Sequence, residues 1–137
     1  MSDIIVQKFG GTSVGSDERI AAVAQIIKKA KKDNQIIVVV SAMSGETNRL
    51  INLAKSFGDN PDRREFDALI STGEKVSASL LAMALNSIGV KAKSFSASQI
   101  SMKTTDQHSK AKIIDVDGEK ILSTLEEDVV PIITGFQ

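Results

Sequence analysis

Apolar positions along this chain follow two rhythms, and the two take turns. Ile4–Phe9 opens as a short apolar run that reads as a strand. Ser16 then suits a helix N-cap, with Asp17 and Glu18 in the first turn, where the helix dipole favours negative charge. Ile20, Val23, Ala24 and Ile27 recur at i, i+3, i+4 and i+7, the stripe of an amphipathic helix. Lys28, Lys29, Lys31 and Lys32 crowd its far end and read as a solvated terminus rather than an anion site. Ile36–Val40 is apolar on successive residues, the pattern of a strand covered on both faces in a parallel sheet.

Ser41–Glu46 is a loop of small residues, and Thr47–Phe57 reads as a second helix, broken by Gly58-Asp59-Asn60-Pro61. A long helix runs from about Arg63 to Ile88 and stops at Gly89, its apolar face expected to carry Leu69, Gly73, Val76, Leu80 and Ala84. Gly73 lies inside it at a cost of about 1 kcal/mol, which signals a break or close packing. Lys91–Phe95 predicts a third strand, Ala111–Val116 a short strand or hairpin arm, Asp117–Glu127 a helix and Val129–Thr134 a last strand. Pro131 weakens that last assignment, because it removes a ladder donor. Strands alternating with helices of this length predict an α/β sandwich on a mostly parallel sheet.

Composition narrows the picture without changing it. The chain has 137 residues, 42% hydrophobic and 25% charged, suited to one domain. Its 17 basic and 17 acidic residues cancel, so no bulk attraction to nucleic acid or anionic membrane is expected. It contains no cysteine and a single histidine, so disulfides and thiolate metal sites are excluded and no metal site is expected. Met1-Ser2-Asp3 lacks the features of a secretory signal, and the longest unbroken apolar run, Leu80–Leu85, is too short to span a bilayer. A cytoplasmic location is the expectation.

Three strands end in small or polar residues: Lys8-Phe9-Gly10-Gly11-Thr12-Ser13, Ser41-Ala42-Met43-Ser44-Gly45 and Thr134-Gly135-Phe136. In open α/β sheets ligands gather beyond such ends. Adjacent glycines let a backbone approach a ligand, and a helix N-terminus follows, so a phosphate fits; Lys8 adds a cation. The lysine precedes the glycines, unlike a P-loop, and the glycines are adjacent, unlike G-x-G-x-x-G. A tight turn with a solvated lysine explains the same residues, and spacing alone does not decide. Glu74 shares a flanking stripe with Asp67, Ser71 and Ala78, whose small neighbours leave room for a ligand; pattern alone favours an exposed helical glutamate. Asp106 and His108 lie in a polar loop with no activated nucleophile nearby, and Met43 and Met83 read as core filling.

These loops resemble one family. Val6-Gln7-Lys8-Phe9-Gly10-Gly11-Thr12-Ser13-Val14 is similar to the opening signature of aspartate kinases, K-[FY]-G-G-[TS]-S. Val39–Met43 with Thr47-Asn48, Ser71-Thr72-Gly73-Glu74, Ser94–Gln99, Thr104-Thr105-Asp106 and Thr134–Gln137 resemble further family elements in order. The resemblance implies an amino-acid-kinase fold, a three-layer α/β/α sandwich. It implies transfer of the γ-phosphoryl group of ATP, with Mg2+, to the side-chain carboxylate of L-aspartate, toward lysine, threonine and methionine. It also implies that Lys8, Gly10, Gly11, Thr12 and Ser13 bind ATP phosphates, with Lys8 catalytic. Ser41, Thr47, Glu74 and Phe136 would border aspartate, Glu74 pairing with its ammonium group.

The chain reaches Gln137 without the family's G-R-G-G-S-D element, its nucleotide-base pocket or its ACT regulatory domains. The expectation is therefore residues 1–137 as the N-terminal portion of an amino-acid-kinase domain, inactive alone. It should form a homo-oligomer through apolar surface at a sheet edge and beside Val129–Thr134. The alternative is a truncated homologue that serves as a binding or assembly module without turnover. A related enzyme acting on glutamate, acetylglutamate or a nucleotide is disfavoured by the S-x-G-E and K-F-G-G-T-S spellings.

Overall fold

The structure, a computed structural model, describes residues 3–100, 103–104, 113–115 and 118–135. In chain order its elements are β1 (Ile4–Phe9), α1 (Asp17–Lys31), β2 (Gln35–Val40), α2 (Glu46–Ala54), α3 (Arg63–Ser87), β3 (Ala92–Phe95), β4 (Lys103–Thr104), β5 (Ile113–Asp115), α4 (Glu119–Glu126) and β6 (Val130–Thr134). Single 3-10 turns follow α2 at Lys55–Phe57 and β3 at Ala97–Ile100. Four strands form a parallel sheet in the order β1-β2-β6-β3. The expected strand or hairpin arm at Ala111–Val116 is β5, paired antiparallel with β4, a partner the sequence pattern did not suggest.

The successive apolar residues of β2 serve two layers. Ile36, Val38 and Val40 are buried with Ile20, Val23 and Ile27 of α1 and Leu81 and Leu85 of α3. Ile37 turns the other way, toward Phe95, Ile133 and Ile121 of α4. Two helices on one face and one on the other make the three layers. α1 starts as its sequence predicts, with the Ser16 hydroxyl accepting the Arg19 N–H at 3.2 Å. Ser16→Ala should lower stability by about 1 kcal/mol, read as a shift in the urea midpoint at constant slope. The lysines at the end of α1 are largely exposed, as expected, and two of them find partners. Lys28 Nζ donates to the Ile88 carbonyl at 3.1 Å, and Lys31 pairs with Asp128 at 2.6 Å. The hydrogen bond from Lys31 holds the Asp128 carboxyl below its ordinary range.

Two expectations need correction. Val76, Leu80 and Met83 of α3 are exposed at 47%, 39% and 64%, so Met83 is not core filling. The buried face is the neighbouring stripe of Ile70, Gly73, Glu74, Ser77, Ala78, Leu81 and Leu85. Both stripes are apolar enough to pack, and the sheet and α1 select one of them. Met43 does pack against the core. Of the two expectations for Gly73, close packing holds, and α3 continues unbroken through it. Second, β6 is an interior strand buried at every position, so Val130–Thr134 itself presents no open apolar edge. The exposed apolar edge is β1, where Ile4, Ile5 and Val6 stand 48%, 37% and 61% exposed.

Pro131 sits in this central strand without breaking a ladder. The Val130 N–H reaches the Lys91 carbonyl just before β3 and the Gly135 N–H reaches Val40 in β2, so alternate residues face alternate neighbours. The nitrogen of Pro131 therefore faces β2, whose pairing with β6 begins one residue later, at Val38–Ile132. α3 is long and apolar enough to cross a membrane by length and composition, yet here it packs on α1, α2 and the sheet.

Candidate functional site

The carboxyl ends of the first, second and last strands come level. Phe9 pairs with Val40, and Val40 with Thr134, so the three loops emerge side by side. Backbone hydrogen bonds tie them. The Ser41 N–H donates to Phe9 at 3.2 Å, the Ser44 N–H to Gly11 at 3.0 Å and the Gly135 N–H to Val40 at 3.0 Å. Within the first loop the Ser13 N–H returns to the Gly10 carbonyl at 3.1 Å, closing a tight turn.

The two adjacent glycines have different reasons to be there. A Cβ on Gly11 would stand 2.9 Å from the Ala42 carbonyl oxygen, so Gly11 lets the first two loops touch. A Cβ on Gly10 would meet nothing within 4 Å, so Gly10 faces open space. Gly45, at φ 85°, takes the left-handed turn that starts α2. Thr47 then lies in the first turn of α2.

Glu74 enters from the other side. It is 5% exposed, on the buried stripe of α3 rather than a solvated flank. Its helix comes close because Gly73 has no side chain: a Cβ there would lie 3.0 Å from Ala42 Cβ and 3.4 Å from Glu46 Cγ and Leu50 Cδ1. Ser77, one turn along, donates its hydroxyl to the Ser41 carbonyl at 2.6 Å and is fully buried. Sequence reasoning missed Ser77. The available signal was its place four residues after Gly73, a small polar residue on a stripe of small residues. At the start of α2 the Arg49 guanidinium donates to Glu46 at 2.6 and 3.0 Å and holds that carboxyl below its ordinary range.

Together these elements enclose a cavity of about 310 Å3. Gly11, Ser41, Thr47 and Glu74 line it, with Met43 and Ile70 as apolar walls. Four sequence-predicted site residues thus come from four separate segments to one place. Lys8 does not line this cavity. It pairs with Val39, alternates with the residues under α1 and α3, and is exposed on the α4 side of the sheet. Thr12 is exposed and Ser13 half-buried in the turn. Phe136, Asp106 and His108 lie outside the described residues.

Residues 3–137 match the amino acid kinase family. The chain belongs to that family. Among curated relatives, the aspartate kinase of Pseudomonas putida is 51% identical over 135 residues, which cover 98% of this chain and 33% of that protein. The chain thus spans about a third of the length of the curated relatives it matches. The crystal structure of aspartate kinase from Synechocystis superposes with a TM-score of 0.81 at 44% identity, covering 98% of this chain and 22% of that one. Escherichia coli aspartokinase III, solved in complex with aspartate and ADP, shares the fold, with a TM-score of 0.83 at 22% identity over 96% of this chain and 40% of that one. The three-layer architecture is that of the amino acid kinases.

Proposed function

We propose that this chain is the acceptor-binding and phosphate-loop part of an aspartate kinase. The observation that carries the reading is the single cavity in which the Gly11 loop meets Ser41, Thr47 and Glu74. A carboxylate buried to 5% exposure suits a cationic ligand group, and the ammonium of L-aspartate supplies one. The Ser41 and Thr47 side chains add hydroxyls that can hold the rest of the amino acid. The open backbone at Gly10 and the exposed Lys8 ammonium suit the phosphates of ATP.

In the reaction a side-chain carboxylate oxygen of aspartate bonds to the γ-phosphorus, the bond from that phosphorus to the bridging oxygen breaks, and ADP leaves. Such transfers need positioning and charge neutralisation rather than covalent catalysis. Glu74 would fix the acceptor, and Lys8 would offset charge on the phosphoryl oxygens. Among the described residues no group of three or more His, Cys, Asp or Glu side chains is placed to hold a metal ion. Mg2+ would therefore be held chiefly by the nucleotide's phosphate oxygens. We place the protein in the cytoplasm, at the entry to lysine, threonine and methionine synthesis. The exposed edge strand β1 supports a homo-oligomer.

Calorimetric titration of L-aspartate into the wild-type chain and Glu74→Gln tests the site. The variant should bind aspartate at least tenfold more weakly, because a charge-assisted contact is lost, while its affinity for ATP stays unchanged. Equal aspartate affinities, or a loss for ATP alone, would remove Glu74 from the acceptor site.

A further inference from the structure

A second cavity opens beside the first, between α3 and the carboxyl ends of β3 and β6. It measures about 380 Å3, toward the lower end of the range for small-molecule sites. Lys75 and Ser79 come to it from α3, Ser94 from β3, Gln99 from the turn beyond β3 and Thr134 from the end of β6, over buried Phe95. Thr134 pairs with Val40, the residue before Ser41, so the two cavities sit over adjacent strand ends yet share no lining residue.

Among the described residues the lining has one sign, a lysine and no carboxylate. Gln99 Oε1 accepts the Ser96 N–H at 2.8 Å and lies 3.3 Å from the Ser96 hydroxyl. A backbone N–H can face only the oxygen of an amide, so this contact orients the side chain and leaves its two N–H donors as what Gln99 offers a ligand. Ser79 and Ser94 supply two hydroxyl donors.

We propose that this cleft is a second ligand site, which takes a small carboxylate-bearing molecule of amino-acid size with Lys75 as its countercharge. One cation with an oriented amide and two hydroxyls matches a singly charged carboxylate. A phosphate dianion would call for a second cation or a nest of backbone N–H groups, and the described lining residues supply neither. The site lies where parallel sheets collect ligands, and it stands independently of the assignment of the Glu74 cavity to aspartate.

Succinamate is the probe, because it carries one carboxylate and no ammonium group to pair with Glu74; succinamide is its uncharged control. Titrated into the isotope-labelled 137-residue chain, succinamate should cause saturable NMR shifts at Ser79, Ser94 and the Gln99 side-chain amide. Lys75→Gln should weaken that binding at least tenfold, Lys75→Arg should retain it, and Glu74→Gln should leave it unchanged. The proposal is overturned by the absence of saturable shifts at those residues, by shifts centred on Ser41 and Thr47 instead, by equal binding of succinamide, or by undiminished binding in Lys75→Gln.

Discussion

Lys8→Ala is expected to lower kcat about a hundredfold when this chain replaces the matching third of the Pseudomonas putida aspartate kinase, to which it is 51% identical over 135 residues. Removing one charge-stabilising group from a phosphoryl-transfer site typically costs about 3 kcal/mol of barrier, which is that factor in rate. Lys8 is the last residue but one of the strand that runs into the glycine turn, and it is exposed on the α4 side of the sheet, outside the Glu74 cavity. Its contribution should therefore fall on kcat and on ATP, with the KM for aspartate little changed. The unsubstituted chimera should release ADP in the presence of aspartate, whereas the 137-residue chain alone should not, having one phosphate loop to hold the triphosphate. Steady-state rates with circular dichroism as a folding check decide it. A near-normal kcat in Lys8→Ala would make the lysine a bystander, and robust turnover by the chain alone would refute the need for a larger domain.

Gly73→Val should destabilise the chain by about 2–3 kcal/mol and abolish aspartate binding. The first branch of the new side chain already lies 3.0 Å from Ala42 Cβ and 3.4 Å from Glu46 and Leu50. The remaining methyl groups must push α2 and the Ser41 loop away from α3, and overpacking of this kind costs about 1–3 kcal/mol. Valine's better intrinsic helix propensity recovers only a few tenths of a kcal/mol. Because the same contact brings Glu74 to Ser41 and Thr47, the cavity opens as the helices part. Urea unfolding and aspartate titration on one variant measure both effects. Unchanged stability would mean that α2 yields freely, and unchanged binding would mean that the α2–α3 contact does not shape the site. Gly73→Ala, with a single methyl group, should show the smaller loss.

The order of elements and the parallel character of the sheet were legible in the residues alone. Ile36–Val40 is apolar on consecutive positions, and only a strand covered on both faces accommodates that pattern. Ser16 and the acidic pair after it marked the start of α1 because capping is a local hydrogen bond between near neighbours. The glycine turn after β1 was legible for the same reason, and so was its likeness to a phosphate loop.

Strand order was not legible, since β6 comes last in the chain yet lies between β2 and β3, a placement settled by long-range packing. Nor was the burial of Glu74. A period of 3.6 residues tells which side chains share a face of α3, and both the Ile70–Leu81 stripe and the Val76–Met83 stripe are apolar enough to face a core. Which stripe turns inward depends on where the sheet, α1 and α2 lie, and that turn is what converts Glu74 from a surface residue into the wall of a cavity. The separate duties of Gly10 and Gly11 have the same origin. One borders open space and the other the Ala42 carbonyl, a neighbour thirty-one positions away that only the folded chain supplies.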